Sequence, residues 1–294
     1  MFSADGRADF CSGNAEEGYR LVYNIEAYLR HMVRFEIVAA RGRQWRTLLG
    51  AADATAKAAQ RNERDLRIID ADERNILSYL LLTELKDVML SEAVWLILKN
   101  RWPPQDIFAS SFKVFNALRN KVAHFRRLTD RDMRSVREFR TLVEEMTAHY
   151  RSQRRAIKPL TPETVPDPYR LIVEDWLASI ALGEDQWQVP VVSRVHRYLV
   201  IEARLATGTI ASDAISALVN GCGTDAFFLS IDGPRVQMRA YLPCILTAEE
   251  AQKVVKGLRE LPIVTEDMLE EEADTEAFDL EVPFEVLLPM DFRT

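Results

Sequence analysis

Three residues in the segment ALRNKVAHF carry the types needed for phosphodiester chemistry: Arg119, Asn120 and His124. A histidine has an unperturbed pKa near 6.5, so at neutral pH it can take a proton from one oxygen and return it to another. An arginine stays protonated and presents a planar fork of donors that matches phosphate oxygens. Together these groups could cleave RNA without a metal. The strand's own 2′-OH attacks the adjacent phosphorus, and the charge building on the phosphorane-like transition state is compensated by the cation. On an ideal helix Asn120 lies one turn before His124, so its amide could orient the imidazole or hold a phosphate. Arg119 lies five residues away, roughly 140° around the axis, and does not stack over His124.

Something must position these side chains, and the apolar periodicity says helices. From Glu17 to Leu49, Leu21, Ile25, Tyr28, Leu29, Met32 and Val33 recur on one face, with Gly42 as an end or a bend. GAADATAKAAQRNER has too few large apolar residues to anchor it firmly and reads as a mobile connection or a weakly docked helix. NILSYLLLTELKDVMLS and EAVWLILKNRW continue the helical pattern until Pro103 and Pro104, which cannot donate the helical hydrogen bond. The motif then falls on a helix through DIFASSFKVFNALRNKVAHF. Thr129 is a candidate N-cap for the next helix, DRDMRSVREFRTLVEEMTAHYRSQRR, whose Met133, Val136, Phe139, Leu142, Val143 and Met146 form a stripe.

The proline-rich KPLTPETVPDPYR marks a linker. Beyond it LIVEDWLASIAL and ASDAISALVNG read as helices, and AFFLSIDGPRVQMRAYLPCIL as two strands around the turn Asp232-Gly233-Pro234. In TAEEAQKVVKGLREL a capping box pairs Thr247 with Glu250. The expected organisation is a helical domain over 16–158, a linker over 159–168, a small α/β domain over 169–262 and an acidic extension over 263–294.

The helical pattern with the motif at the end of its penultimate helix resembles the HEPN superfamily. The resemblance is to the branch appended to an RNA quality-control endonuclease and common in bacterial toxin and phage-defence proteins; IEAYLRHMVR resembles that branch's first helix. It covers about 16–158 and leaves the remainder unassigned. It implies an N-terminal antiparallel HEPN-like bundle; with the small mixed α/β domain read from the residues beyond the linker, the expected fold is mainly α. It further implies RNA as substrate, Arg119, Asn120 and His124 as the catalytic set, and a homodimer in which both motifs line one cleft. The neighbouring Lys121, Arg126 and Arg127 are then candidates for holding the RNA. The C-terminal domain is left to sense a trigger, bind a protein partner or restrain the nuclease.

The alternative is a noncatalytic HEPN scaffold, in which Arg119 is a surface charge, Asn120 a cap and His124 a satisfied terminal histidine. His31, His149 and His196 read as structural or exposed. Trp45, Trp95, Trp102, Trp176 and Trp187 read as packing residues. Cys11, Cys222 and Cys244 are odd in number and lack a C-x-x-C spacing, which points to reduced thiols rather than a disulfide framework or a zinc knuckle. No Walker loop, dinucleotide fingerprint, zinc-protease helix or nucleophile elbow occurs, so neither a metal nor a cofactor is expected. No apolar run reaches the roughly 20 residues that span a bilayer, and the N-terminus lacks a signal-peptide pattern. The expectation is a cytoplasmic protein without membrane association.

Charge is unevenly placed within a net charge of −7. Lys113 to Lys158 is locally cationic, whereas EDMLEEEADTEAFDLE contains no basic residue. Mutual repulsion and few large apolar side chains predict that the acidic stretch stays mobile, with FDLEVPFEVLLP free to dock as a strand or as a partner-binding segment. Limited proteolysis should cut rapidly between Glu266 and Glu276 and leave both domains intact; complete protection would mean that the arm is bound.

Overall fold

In the computed structural model the described residues are 13–65, 75–100, 102–155, 187–195, 197–205, 209–210, 227–232, 237–261, 263–264 and 278–280, with isolated positions between 170 and 222. The chain is mainly helical, with its strands toward the C-terminus. It divides into two compact units: the first holds Met1–Arg34 and Leu48–His149, the second Phe35–Thr47 and Tyr150–Thr294. The segment Phe35–Thr47, which the linker-based reading placed in the helical domain, therefore groups with the C-terminal unit.

Helix α1, Gly13–Arg41, is the long first element. It ends where Gly42 takes φ +52°, a left-handed conformation that glycine adopts without a Cβ clash, and a 3-10 segment Gly42–Leu49 follows. Gly50, at φ +55°, turns the chain into α2, Ala51–Asp65. The alanine-rich segment is thus a helix, steadied on its surface by an i,i+4 pair of Asp53 and Lys57.

The expected continuous helix over NILSYLLLTELKDVMLS is broken. A 3-10 turn, Ile76–Tyr79, precedes α3, Leu82–Leu90. Arg30 of α1, only 8% exposed, donates to the carbonyls of Leu77 and Leu80, the latter at 2.8 Å, and so draws away two acceptors that a continuous helix would need. Asn75 caps the 3-10 turn by accepting from the Leu77 N–H, while the Leu81 N–H donates to Glu84. Helix α4, Glu92–Leu98, follows Ser91, and Pro104 then stands at the N-cap of α5, Gln105–Ala123.

Helix α5 buries Phe108, Phe112, Phe115 and Leu118. Phe139 of α6, Asp130–Arg155, stacks on Phe115 with ring centres 4.4 Å apart and meets Phe112 edge-on at 5.8 Å. Trp102 packs on Phe108 at 4.8 Å and on Trp95 edge-on at 5.9 Å. Trp45 is also buried, as expected of packing residues.

In the second unit the strands are β1 Trp187–Val195, β2 Tyr198–Leu205, β3 Thr209–Ile210, β4 Phe228–Asp232, β5 Gln237–Pro243, β6 Ile263–Val264 and β7 Phe278–Leu280. Five form an antiparallel sheet in the order β1-β2-β5-β4-β7, and β3 pairs with β6. The expected hairpin is β4–β5, with Asp232 opposite Gln237; the turn between them lies outside the described residues. The hairpin β1–β2 was not anticipated. Within the expected acidic extension, Leu280 pairs with Leu229, so this part of FDLEVPFEVLLP docks as a strand, whereas 265–277 lies outside the described residues. The expected helices LIVEDWLASIAL and ASDAISALVNG also fall largely outside them.

Helix α7, Ala248–Arg259, carries the anticipated Thr247–Glu250 capping box and buries Ala251, Val254, Val255 and Leu258. Phe35 stacks on Tyr198 at 4.3 Å and accepts its hydroxyl proton at the backbone carbonyl, 2.6 Å away. That pairing explains why Phe35 groups with the sheet. Cys222 is a buried thiol whose pKa desolvation pushes upward; Cys244 is half-buried, and neither forms a disulfide among the described residues.

The corner between α5 and α6 is fastened by Asp132. Its carboxylate accepts from Lys121 Nζ at 2.8 Å, from the Thr129 N–H at 2.9 Å and from the Thr129 hydroxyl at 2.9 Å, while the Asp132 N–H donates back to that hydroxyl at 3.2 Å. Thr129 is the N-cap, as expected, and Asp132 completes a capping box. These donors, Lys121 first, hold the Asp132 carboxyl down at about 2 against an ordinary 3.8. Because the folded-state pKa is the lower one, the group contributes full stability above about 3.8, and that contribution is lost as pH falls through about 2. Asp132→Asn should therefore lower the thermal midpoint at pH 6, with wild type and variant converging near pH 2; parallel curves across that range would show that the carboxylate does not hold the corner.

Candidate functional site

The three motif residues sit at the end of α5 in different environments. Arg119 is one-third exposed, and its Nε donates to Glu26 Oε1 at 2.7 Å. Glu26, on α1, is 15% exposed at its side chain and also pairs with Arg30 Nη2 at 3.3 Å. One carboxylate thus lies between two guanidiniums, and Arg30 continues to the carbonyls of the broken helix. Engagement through Nε fixes the plane of the Arg119 fork and leaves its two Nη atoms as the groups able to reach a phosphate.

Asn120 and His124 are both exposed. His124 is not inside the helix as expected: it is the C-cap, at φ −101° and ψ 18°, and its N–H donates to the Asn120 carbonyl at 3.2 Å. The link between the two residues is therefore through the backbone; among the described residues no side-chain hydrogen bond joins the amide to the imidazole. His124 stands at the surface.

Phe125 closes the helix. Its N–H donates to Val122 at 2.9 Å and the Arg126 N–H donates to Lys121 at 2.8 Å, the paired bonds of a Schellman termination. Such a termination places its central residue in the left-handed region, and Phe125 has φ 51°. Glycine usually stands there, and an L-residue costs on the order of 1 kcal/mol more. The chain after it is seated by Leu128, which is buried and lies so close to Gly18 of α1 that a Cβ there would clash with its Cδ1.

The cationic segment is partly spent on the fold. Lys121 is paired with Asp132, Arg137 makes two contacts below 3 Å to Glu17, and Arg140 pairs with Glu144 at 2.8 Å. Of the residues expected to hold RNA, Lys121 has an internal partner, whereas Arg126 and Arg127 are exposed, as are Arg131 and Arg134. Among the described residues these four arginines show no acidic partner. The exposed positive charge therefore gathers on the turn after the motif and the first turns of α6.

Sequence reasoning named neither Glu26 nor Asp132. Glu26 and Arg30 stand at i,i+4 within IEAYLR, a visible pair, but nothing in the sequence links them to Arg119, 93 positions away. Asp132 was legible as the third residue after Thr129. Among the described residues no cluster of three or more potential metal ligands occurs, and no helix is long and apolar enough to cross a membrane.

Comparison with known proteins finds no family model, no curated protein and no solved structure that matches this chain.

Proposed function

We propose that the chain is a metal-independent endoribonuclease of HEPN type, acting as a toxin or phage-defence effector in the cytoplasm. The observation that carries this reading is the pairing of a fixed arginine with an exposed histidine at one helix end. Arg119 is held through Nε on Glu26, and His124 presents its imidazole at the C-cap five residues on. In the reaction, His124 takes the proton of the RNA 2′-OH. The new O2′–P bond forms as the P–O5′ bond breaks, and the leaving O5′ receives the proton that the imidazole took, which returns His124 to its starting form. The products are a 2′,3′-cyclic phosphate and a 5′-hydroxyl. Arg119 compensates the charge on the non-bridging oxygens, and because Glu26 already fixes its plane, little reorganisation accompanies the transition state. Asn120, exposed beside them, contributes a phosphate contact rather than a hold on His124. A homodimer through the helical unit would bring two such motifs to one cleft, in keeping with the HEPN resemblance, and the C-terminal unit would bind a protein partner or restrain the nuclease.

A second reading has its own observation. Arg119 and Lys121 are both tied to acidic partners, Glu26 and Asp132, which is what a purely structural helix end would show. On that reading the helical unit is a noncatalytic scaffold for protein interaction.

Cleavage of RNA in excess EDTA separates the two. The rate should be unchanged by EDTA, and His124→Ala and Arg119→Ala should each lose on the order of a hundred- to ten-thousand-fold, with near-native folding for His124→Ala. Asn120→Ala should lose less. RNA lacking the 2′-OH at the scissile position should resist. Wild-type rates from His124→Ala would remove the active-site assignment, and a folded dimer that cuts no RNA would favour the scaffold.

Sedimentation tests the composite site. A dimer is expected at tens of micromolar protein; a monomer that still cleaves RNA would show that one copy suffices.

A further inference from the structure

Phe125 is held in a costly conformation, and its ring has no packing partner among the described residues. Its φ of 51° is the left-handed one that the helix termination imposes, and the residue is 96% exposed. A glycine would satisfy the same backbone bonds without the steric cost, and among the described residues no packing requires a ring. The geometry points to a ligand outside the protein: we propose that Phe125 is a stacking platform for an unpaired nucleobase of single-stranded RNA, next to the phosphate that His124 serves. This rests on the reading of the motif as an RNA site and adds a residue that sets how the strand is held.

The surroundings favour a base over other occupants. Phe125 directly follows His124 and precedes the exposed Arg126 and Arg127, so a ring is flanked by a titratable group and two guanidiniums. Aromatic faces interleaved with cations are what single strands need: bases stack on the rings while phosphates meet the charges, with little preference among bases because each has a π-face. A protein partner would need a contiguous apolar patch. Here the exposed residues from Ala123 to Thr129 offer one large apolar side chain among charged and polar ones. A duplex would not serve either, because its bases are already stacked on one another.

The test uses the full chain and a short single-stranded RNA carrying 2′-O-methyl groups throughout, which binds but cannot be cut. Phe125→Gly should raise the melting temperature, since the backbone strain is relieved, and weaken binding on the order of ten- to a hundredfold, the usual cost of losing one stacked base. Phe125→Trp should restore binding. A more stable Phe125→Gly protein that binds as tightly as wild type overturns the proposal, as does a Phe125→Gly protein that changes from dimer to monomer, since the ring would then be a contact between copies. The two readings fail separately. Wild type that binds the oligonucleotide in a Phe125-dependent way but cleaves no unmodified RNA sinks the nuclease reading alone, whereas cleavage with Phe125-independent binding sinks the platform alone. Absence of both binding and cleavage removes both.

Discussion

The carboxylate of Glu26 is the constraint on which the site depends. It stands between Arg30, which is nearly buried, and Arg119, which is partly exposed, at 3.3 and 2.7 Å. Taking guanidiniums out of water is costly unless they are paired and hydrogen-bonded, and the arrangement meets that need with one acid and the carbonyls of Leu77 and Leu80. Three separate stretches, α1, the turn before α3 and the end of α5, are thereby tied together. One negative charge set between two positive ones leaves the trio with a surplus of positive charge, and the surplus lies on the more exposed side, at Arg119. A helix end built this way is fixed in place and still able to attract an anion.

The second constraint is how α5 stops. A helix that runs on would carry His124 around with its axis. Instead the paired bonds from Phe125 and Arg126 end the helix within one turn, and Asp132 fastens Lys121 to the first turn of α6. Leu128, pressed against Gly18, fixes the short connection from the other side. The backbone of His124 is thus fixed at a corner, and the residue stands exposed there.

Much of the helical unit was legible because its stripes are long: Met133 to Met146 on α6 and Leu21 to Val33 on α1 repeat on one face over several turns. Three features were not. The break before α3 depends on Arg30, which competes for carbonyls from another helix, and local propensity carries no trace of that competition. The strand β2 has Tyr198, Leu199, Val200 and Ile201 all buried, so the alternation that identifies a half-exposed strand is absent. Phe35 continues the apolar stripe of α1 and so reads as part of the helical domain, while its ring and carbonyl meet Tyr198 of the sheet unit. At the site, the motif's residue types were readable, but Glu26 required knowledge of which helices meet. The left-handed turn was hidden because a phenylalanine occupies a position that glycine would have announced.

Which charges a fold spends and which it leaves over is then informative. Lys121, Arg137 and Arg140 each close on an acid within the unit, and the corner would loosen without at least the first of them. Arg126, Arg127, Arg131 and Arg134 lie on the same short run of chain and are left facing solvent. Composition alone cannot separate these two sets, since both belong to one cationic segment in a chain whose net charge is −7. Over a Debye length of about 8 Å at physiological salt, an anion approaching the corner responds to the local cations far more than to the acids elsewhere in the chain. The overall negative charge is therefore compatible with a polyanion as ligand, provided that the ligand is met at this corner and not along the whole surface.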